Sequence, residues 1–151
     1  MRQMFRMLVM MGLMVLAMAA HGESTIGTIK TLSGEVSVVR GGDVIDATLG
    51  APLYAQDSLK TGTSGSVGIL LHDDARLSLG PDSTMALEQF SFNPQTHDGQ
   101  ASVAIQQGTL SVISGKLTEK RPGALQVKTP AAILAVRGTE FSVKVDPLLT
   151  P

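Results

Sequence analysis

The stretch KTPAAILAVRGTEFSVKV, Lys128 to Val145, decides the fold class. Ala131 to Val136 is the longest apolar run outside the N-terminal leader, led in by Thr129 and Pro130. Six apolar residues are too few for a free-standing helix and suit a strand covered on both faces. After Gly138 the pattern alternates: Thr139, Phe141, Val143 and Val145 share one parity, Glu140, Ser142 and Lys144 the other. Period two of this kind predicts a strand with one wet face. Arg137-Gly138 lies between the two regimes, where a glycine permits a bend or bulge. The stretch is therefore expected to supply the core strands of an all-β domain.

The rest of the chain agrees with that class. Its 151 residues suit one domain. Aromatics are only 3% and Trp and Cys are absent, so aliphatic side chains must build the core. The lack of cysteine excludes a disulfide frame, a thiol nucleophile and a lipoprotein anchor. The formal net charge is −1, with no basic run, which argues against nucleic acid as a partner.

Residues 1–22 read as a cleavable signal peptide. Arg2 and Arg6 precede the uncharged apolar run Met7 to Met18, and small residues follow at Ala17, Ala19, Ala20 and Gly22. That run is shorter than the roughly 20 residues of a membrane span. The protein is thus expected to be periplasmic or secreted, with an all-β domain over 23–146 and a frayed tail over 147–151.

Within the domain, strands are expected over Ile26–Leu32, Glu35–Arg40, Val44–Thr48, Val67–Leu71 and Ala75–Leu79, with Gly41-Gly42 as a hairpin turn. Leu53 to Leu59 is less regular. Met85 and Leu87 share one parity and Phe90 and Phe92 the other, which predicts a bulge at Glu88-Gln89. Val103 and Ile105 mark one strand, and Thr109 to Ser114 a separate one. Gly115 to Gly123, with Lys116, Lys120 and Arg121, reads as an exposed basic loop. No segment shows a helical period. Short strands with Gly, Pro and Asp turns predict a two-layer sandwich or roll. A loose echo of glycine-led strands at Gly34, Gly65, Gly108 and Gly138 allows a β-solenoid stack as the alternative.

These residues also resemble a known family, the FecR-type domain. The likeness is carried by Gly34-x-Val-x-Val-x-Arg40, by Gly50-x-Pro-Leu-x-x-x-Asp57-x-Leu-x-Thr-Gly62, and by Asp73-Asp74-x-x-Leu-x-Leu79-x-Pro81. Gly108-x-Leu and Thr129-Pro130-x-Ala132 … Val136-Arg137-Gly138-Thr139-x-Phe141 complete it. In the family's namesake the module is the extracytoplasmic part of an iron-uptake sigma regulator. This sequence shows no sigma-binding segment, no spanning helix before the domain and no further sensor domain, so sigma regulation is not expected to carry over. The resemblance implies a stand-alone extracytoplasmic module for binding or scaffolding, with an envelope protein or polymer as partner and no cofactor.

Candidate site residues are few. His72-Asp73-Asp74 has the residue types of a metal site or an acid/base pair, but neighbours on a strand point apart, so a solvated hairpin turn is expected. His97-Asp98 reads as plain loop. No serine lies in G-x-S-x-G, and Thr61 to Ser66 lacks the lysine and helix of a phosphate cradle. Arg137, beside the apolar run, is expected to bond turn carbonyls or Asp57, so that Arg137→Ala would lower melting by several degrees; anion binding is the alternative. With Gly138, Thr139, Phe141, Asp57 and Gly62 it forms the structural part of the motif. Lys116, Lys120 and Arg121 are the weak candidates for touching an anionic surface. Two further classes stay open: a small hydrolase or sugar-active enzyme using His72, Asp73 and Asp74, and a structural subunit assembling through a sheet edge.

Overall fold

The computed structural model describes residues 24–147. The expected signal peptide over 1–22 and most of the expected frayed tail lie outside them. The described chain is almost wholly β, in one curled twelve-stranded sheet that makes a half-barrel. It is neither the expected sandwich nor a solenoid. Sheets separate into layers only if strands stop pairing between them. Here one strand is long enough to pair with both halves.

That strand is β9 (Gly99–Ile113). Its first half lies between β8 (Thr84–Phe92) and β10 (Leu125–Lys128), the latter running parallel to it. Its second half lies between β7 (Arg76–Leu79) and β12 (Glu140–Val145). The change of partners falls at Gly108, where φ is +96°. A Cβ there would lie 2.0 Å from Ser83 Oγ, so glycine lets the strand turn through the junction without breaking. Thr109 N–H then donates to Ser83 Oγ at 3.0 Å. The two strands expected on either side of Gly108 are therefore one.

The remaining strands wrap from β9 in two directions. β8 leads to β5 (Ser58–Thr61), β2 (Val36–Arg40) and β3 (Asp43–Asp46). β7 leads to β6 (Ser66–Leu71), β1 (Thr25–Ser33) and β4 (Pro52–Tyr54). Gly41 and Gly42, with φ of +57° and +87°, close the β2–β3 hairpin in the left-handed conformation that a two-residue turn demands. The concave side holds the core, whose fully buried side chains include Ile29, Leu53, Leu59, Leu77, Met85, Leu87, Ile105 and Leu110. Strict alternation in β6, β7 and the start of β8 supplies it.

The predicted bulge is present: the β8–β9 register shifts between Leu87 and Gln89. It absorbs the change of parity, so that Phe90 and Phe92 lie opposite Ala101 and Gly99 on the core-facing side, where both are half-buried. Two other expectations need correction. The apolar run at 131–136 forms only a short outer strand, β11 (Ile133–Ala135), paired among the described residues to β10 alone. Ile133 is 66% exposed, and Val136 is the one buried residue of the run. An Ala-rich run carries too little apolar surface to command a place in the core. The basic loop, in turn, holds a single helical turn, α1 (Lys116–Lys120), with Leu117 and Thr118 buried.

Candidate functional site

The bulge in β8 also builds the candidate site. Beyond it, Phe90 and Phe92 stand on a face where the β6–β7 turn brings His72 and the 93–98 loop brings His97. The rings form a continuous strip. His72 meets Phe90 edge-on at 6.4 Å, Phe90 and Phe92 are tilted at 6.5 Å, and His97 stacks on Phe92 at 5.9 Å with 24° between planes. Three of these rings line an open groove of about 600 Å³ together with Thr25, Ile26 and Pro94. The groove continues past Phe92 to Asn93, Gln95 and Asp98. An apolar floor with amide, hydroxyl, imidazole and carboxylate groups at its rim is the usual make-up of a contact site.

Asn93 holds the far wall. Its Oδ1 accepts from Gln95 N–H at 2.9 Å and Thr96 N–H at 3.2 Å, and its carbonyl accepts from His97 N–H at 2.7 Å. His97 has φ +60°, which aims its ring back over Phe92. Sequence reasoning treated the two histidines as unrelated turn residues. Only pairing across the sheet brings them to the ends of one strip.

The acids beside His72 do not converge with it. Asp73 is 2% exposed, against the solvated turn expected for it. Its carboxylate accepts from Ala75 N–H at 3.2 Å and Leu117 N–H at 3.3 Å, and its carbonyl accepts from Lys116 N–H at 2.7 Å. Burial raises its pKa above the ordinary aspartate value, against the pull of those N–H donors. Asp74 points outward and pairs with Lys116 at 2.8 Å, and that lysine holds its carboxyl below the ordinary value. The trio is thus a hairpin clamped onto α1. Of the basic candidates, Lys116 is engaged there and Arg121 donates to Gly99 carbonyl at 3.1 Å. Lys120 is exposed and, with Arg121, flanks a recess beside His97 and Asp98.

The structural residues of the motif fall in two places. Asp57, 1% exposed, takes a bidentate pair from Arg40, Nε at 2.9 Å and Nη2 at 2.8 Å, and accepts from Tyr54 N–H at 2.9 Å. The Arg40 guanidinium also covers the Tyr54 ring at 4.6 Å. Gly62 carbonyl accepts from Gly65 N–H and Asp82 N–H, gathering two turns. Asp57 is therefore the partner of Arg40, correcting the expected pairing with Arg137. Arg137 is exposed, and among the described residues its side chain makes no hydrogen bond or ion pair. What stitches that bend is Ser114: its Oγ donates to Gly138 carbonyl at 2.6 Å and its N–H to Thr139 carbonyl at 2.9 Å. Phe141 follows, half-buried against the core. Arg137→Ala should accordingly shift the melting temperature by no more than about 1 °C, as for surface changes that break no contact; differential scanning calorimetry measures it.

Among the described residues no cluster of three or more His, Asp or Glu could hold a metal ion. No helix there is long and apolar enough to cross a membrane.

The model of the family described as FecR protein matches residues 57–148. One solved structure, a cell surface anchoring domain, is similar at 35% identity over 40% of this chain and 82% of that one, with a TM-score of 0.39. No curated protein matches the chain.

Proposed function

The chain belongs to the FecR protein family, and from that premise we propose that it is a non-catalytic binding module of the bacterial envelope, working outside the cytoplasm. Its contact face is the groove floored by Phe90 and Phe92 and ended by His72 and His97. The partner is an envelope protein or polymer that presents a flat apolar surface to those rings. The observation that carries the reading is the strip itself: Phe90 and Phe92 stay only half-buried at the margin of the core, with His72 and His97 against their rings. Rigid rings held half-exposed give contact area at small entropic cost.

Absence of turnover is supported by where the acids go. Both oxygens of Asp73 are committed to backbone N–H groups, and Asp74 is committed to Lys116. A general acid or base must be free to reach a substrate proton, and these two are engaged with other groups of the chain. The apolar leader of residues 1–22 supports export.

The test compares wild-type protein with the double variant Phe90→Ala/Phe92→Ala as bait in envelope extract. The wild type should retain a component that the double variant loses at least tenfold (about 1.4 kcal/mol of binding). Circular dichroism checks that both are folded. Equal retention by the two proteins rejects the groove as the contact face.

A further inference from the structure

Among the described residues, strand β12 ends the sheet with one edge paired and one edge open. It pairs there only with β9, Glu140 opposite Ile113 and Lys144 opposite Thr109. The direction of its backbone groups follows from two bonds. Ser114 N–H donates to Thr139 carbonyl, so Thr139 faces β9. On the other side of β9, Gly80 N–H donates to Thr109 carbonyl, so Thr109 faces β7 and Leu110 and Val112 face β12. Directions alternate along a strand. Phe141, Val143 and Val145 therefore bond to β9, while Glu140, Ser142 and Lys144 turn N–H and C=O outward. The side chains of those same three residues are exposed.

We propose that this open edge pairs with the same edge of a second copy of the chain, antiparallel and centred on Ser142. Outward groups must meet outward groups, which leaves only registers that place Glu140, Ser142 and Lys144 against one another. Centring on Ser142 sets Glu140 of one copy opposite Lys144 of the other, twice by symmetry. It also sets Phe141 opposite Val143 on the other face, an aromatic against a β-branched residue. Sliding the pair so that Glu140 meets Glu140, or Lys144 meets Lys144, places like charges together. The shifts between leave both lysines without an acid opposite, and one of them also places Glu140 opposite Asp146. Of the outward-matched registers, the one with the longest overlap is also the one that pairs unlike charges. Among the described residues Lys144 has only a 3.6 Å contact with Asp146, both largely exposed, so its ammonium remains available. A sheet edge with open backbone groups and no proline or bulge across 140–145 has none of the usual protection against pairing. This inference stands apart from the groove, which lies on β8.

Sedimentation velocity on the purified protein tests it. The wild type should show a concentration-dependent dimer. Glu140→Lys alone and Lys144→Glu alone should each raise the dimer Kd by about tenfold or more, because like charges then face across the seam. Glu140→Lys/Lys144→Glu together should restore it, since the opposite signs meet again. Ser142→Pro removes an outward N–H that β9 does not use, and should give a folded monomer. As the chain has no cysteine, Ser142→Cys should cross-link to itself under oxidation. A wild type that stays monomeric up to about 0.5 mM overturns the proposal. So does a dimer that Glu140→Lys leaves intact, or a double variant that does not recover.

Discussion

Arg40→Ala should destabilise the protein by about 3 kcal/mol, seen as a lower urea midpoint with unchanged slope. The cost lies mainly in what is left behind. Asp57 is 1% exposed, and its carboxylate would keep only the Tyr54 N–H among its present donors. A buried ion with its partner deleted normally costs 3–5 kcal/mol. The lower end applies because the Arg40 side chain is 37% exposed and water can enter as the guanidinium leaves. Asp57→Asn should cost less, since the amide oxygen still accepts from Tyr54 and the charge that loses its partner, on Arg40, is 37% exposed. If Arg40→Ala melts like the wild type, the pair contributes nothing and Asp57 is solvated in its absence.

The second large effect is expected at the clamp between the β6–β7 turn and α1. A Cβ on Gly115 would lie 2.2 Å from Asp73 carbonyl and 2.4 Å from Ala75 N, both backbone atoms of the facing hairpin. Neither can yield as a flexible side-chain tip could, so Gly115→Ala must pry α1 away and expose Leu117. Burying that leucine supplies about 2 kcal/mol, so a loss of at least that size is expected. Asp73→Ala should cost about 2 kcal/mol by orphaning the buried N–H groups of Ala75 and Leu117. Asp73 also gives a pH signature. Its folded pKa is raised above 3.8, so ionisation opposes folding, and stability from this residue grows as pH falls through the folded value towards 3.8. Asp74 and Glu88 act oppositely. Their lysine partners lower their pKa values, and what they contribute is lost only as pH falls below about 4. Denaturant midpoints of the wild type minus those of Asp73→Asn should therefore increase between neutrality and about pH 4. A flat difference refutes the assignment.

What could be read in the chain was local. Alternation in Glu35–Arg40, Val67–Leu71 and Glu140–Val145 predicts strands that are present, and the parity change before Phe90 predicts a bulge that is present. Family membership followed from ordered short motifs. Misreadings came where a local signal had two outcomes. Gln106-Gln107-Gly108 looks like a turn, and only the close approach of Ser83 makes it the pivot of one long strand. The apolar run at 131–136 looks like core, yet its place at an outer strand is decided by β10, which offers it one edge and no cover. The expected Asp57–Arg137 pairing missed Arg40, 17 residues back, because no local pattern marks a contact made across paired strands. A five-residue helix is too short to show a period. The groove was hidden because its two histidines come from loops that meet only after β6, β8 and β9 have paired.

The long strand β9 has a consequence for how the chain is made. Synthesis runs from the N-terminus, and until residues 99–113 exist the earlier strands have no common partner. Among the described residues, one ribbon, β3-β2-β5-β8, and another, β7-β6-β1-β4, are linked as a sheet only through β9. Two-thirds of the nascent polypeptide must therefore wait, with sticky faces uncovered, for a segment that arrives late. Such high-contact-order topologies assemble slowly and aggregate when held partway. Truncation before Gly99 should leave two ribbons vulnerable to proteases, whereas release of the finished chain should let both zip onto β9 in a single cooperative step.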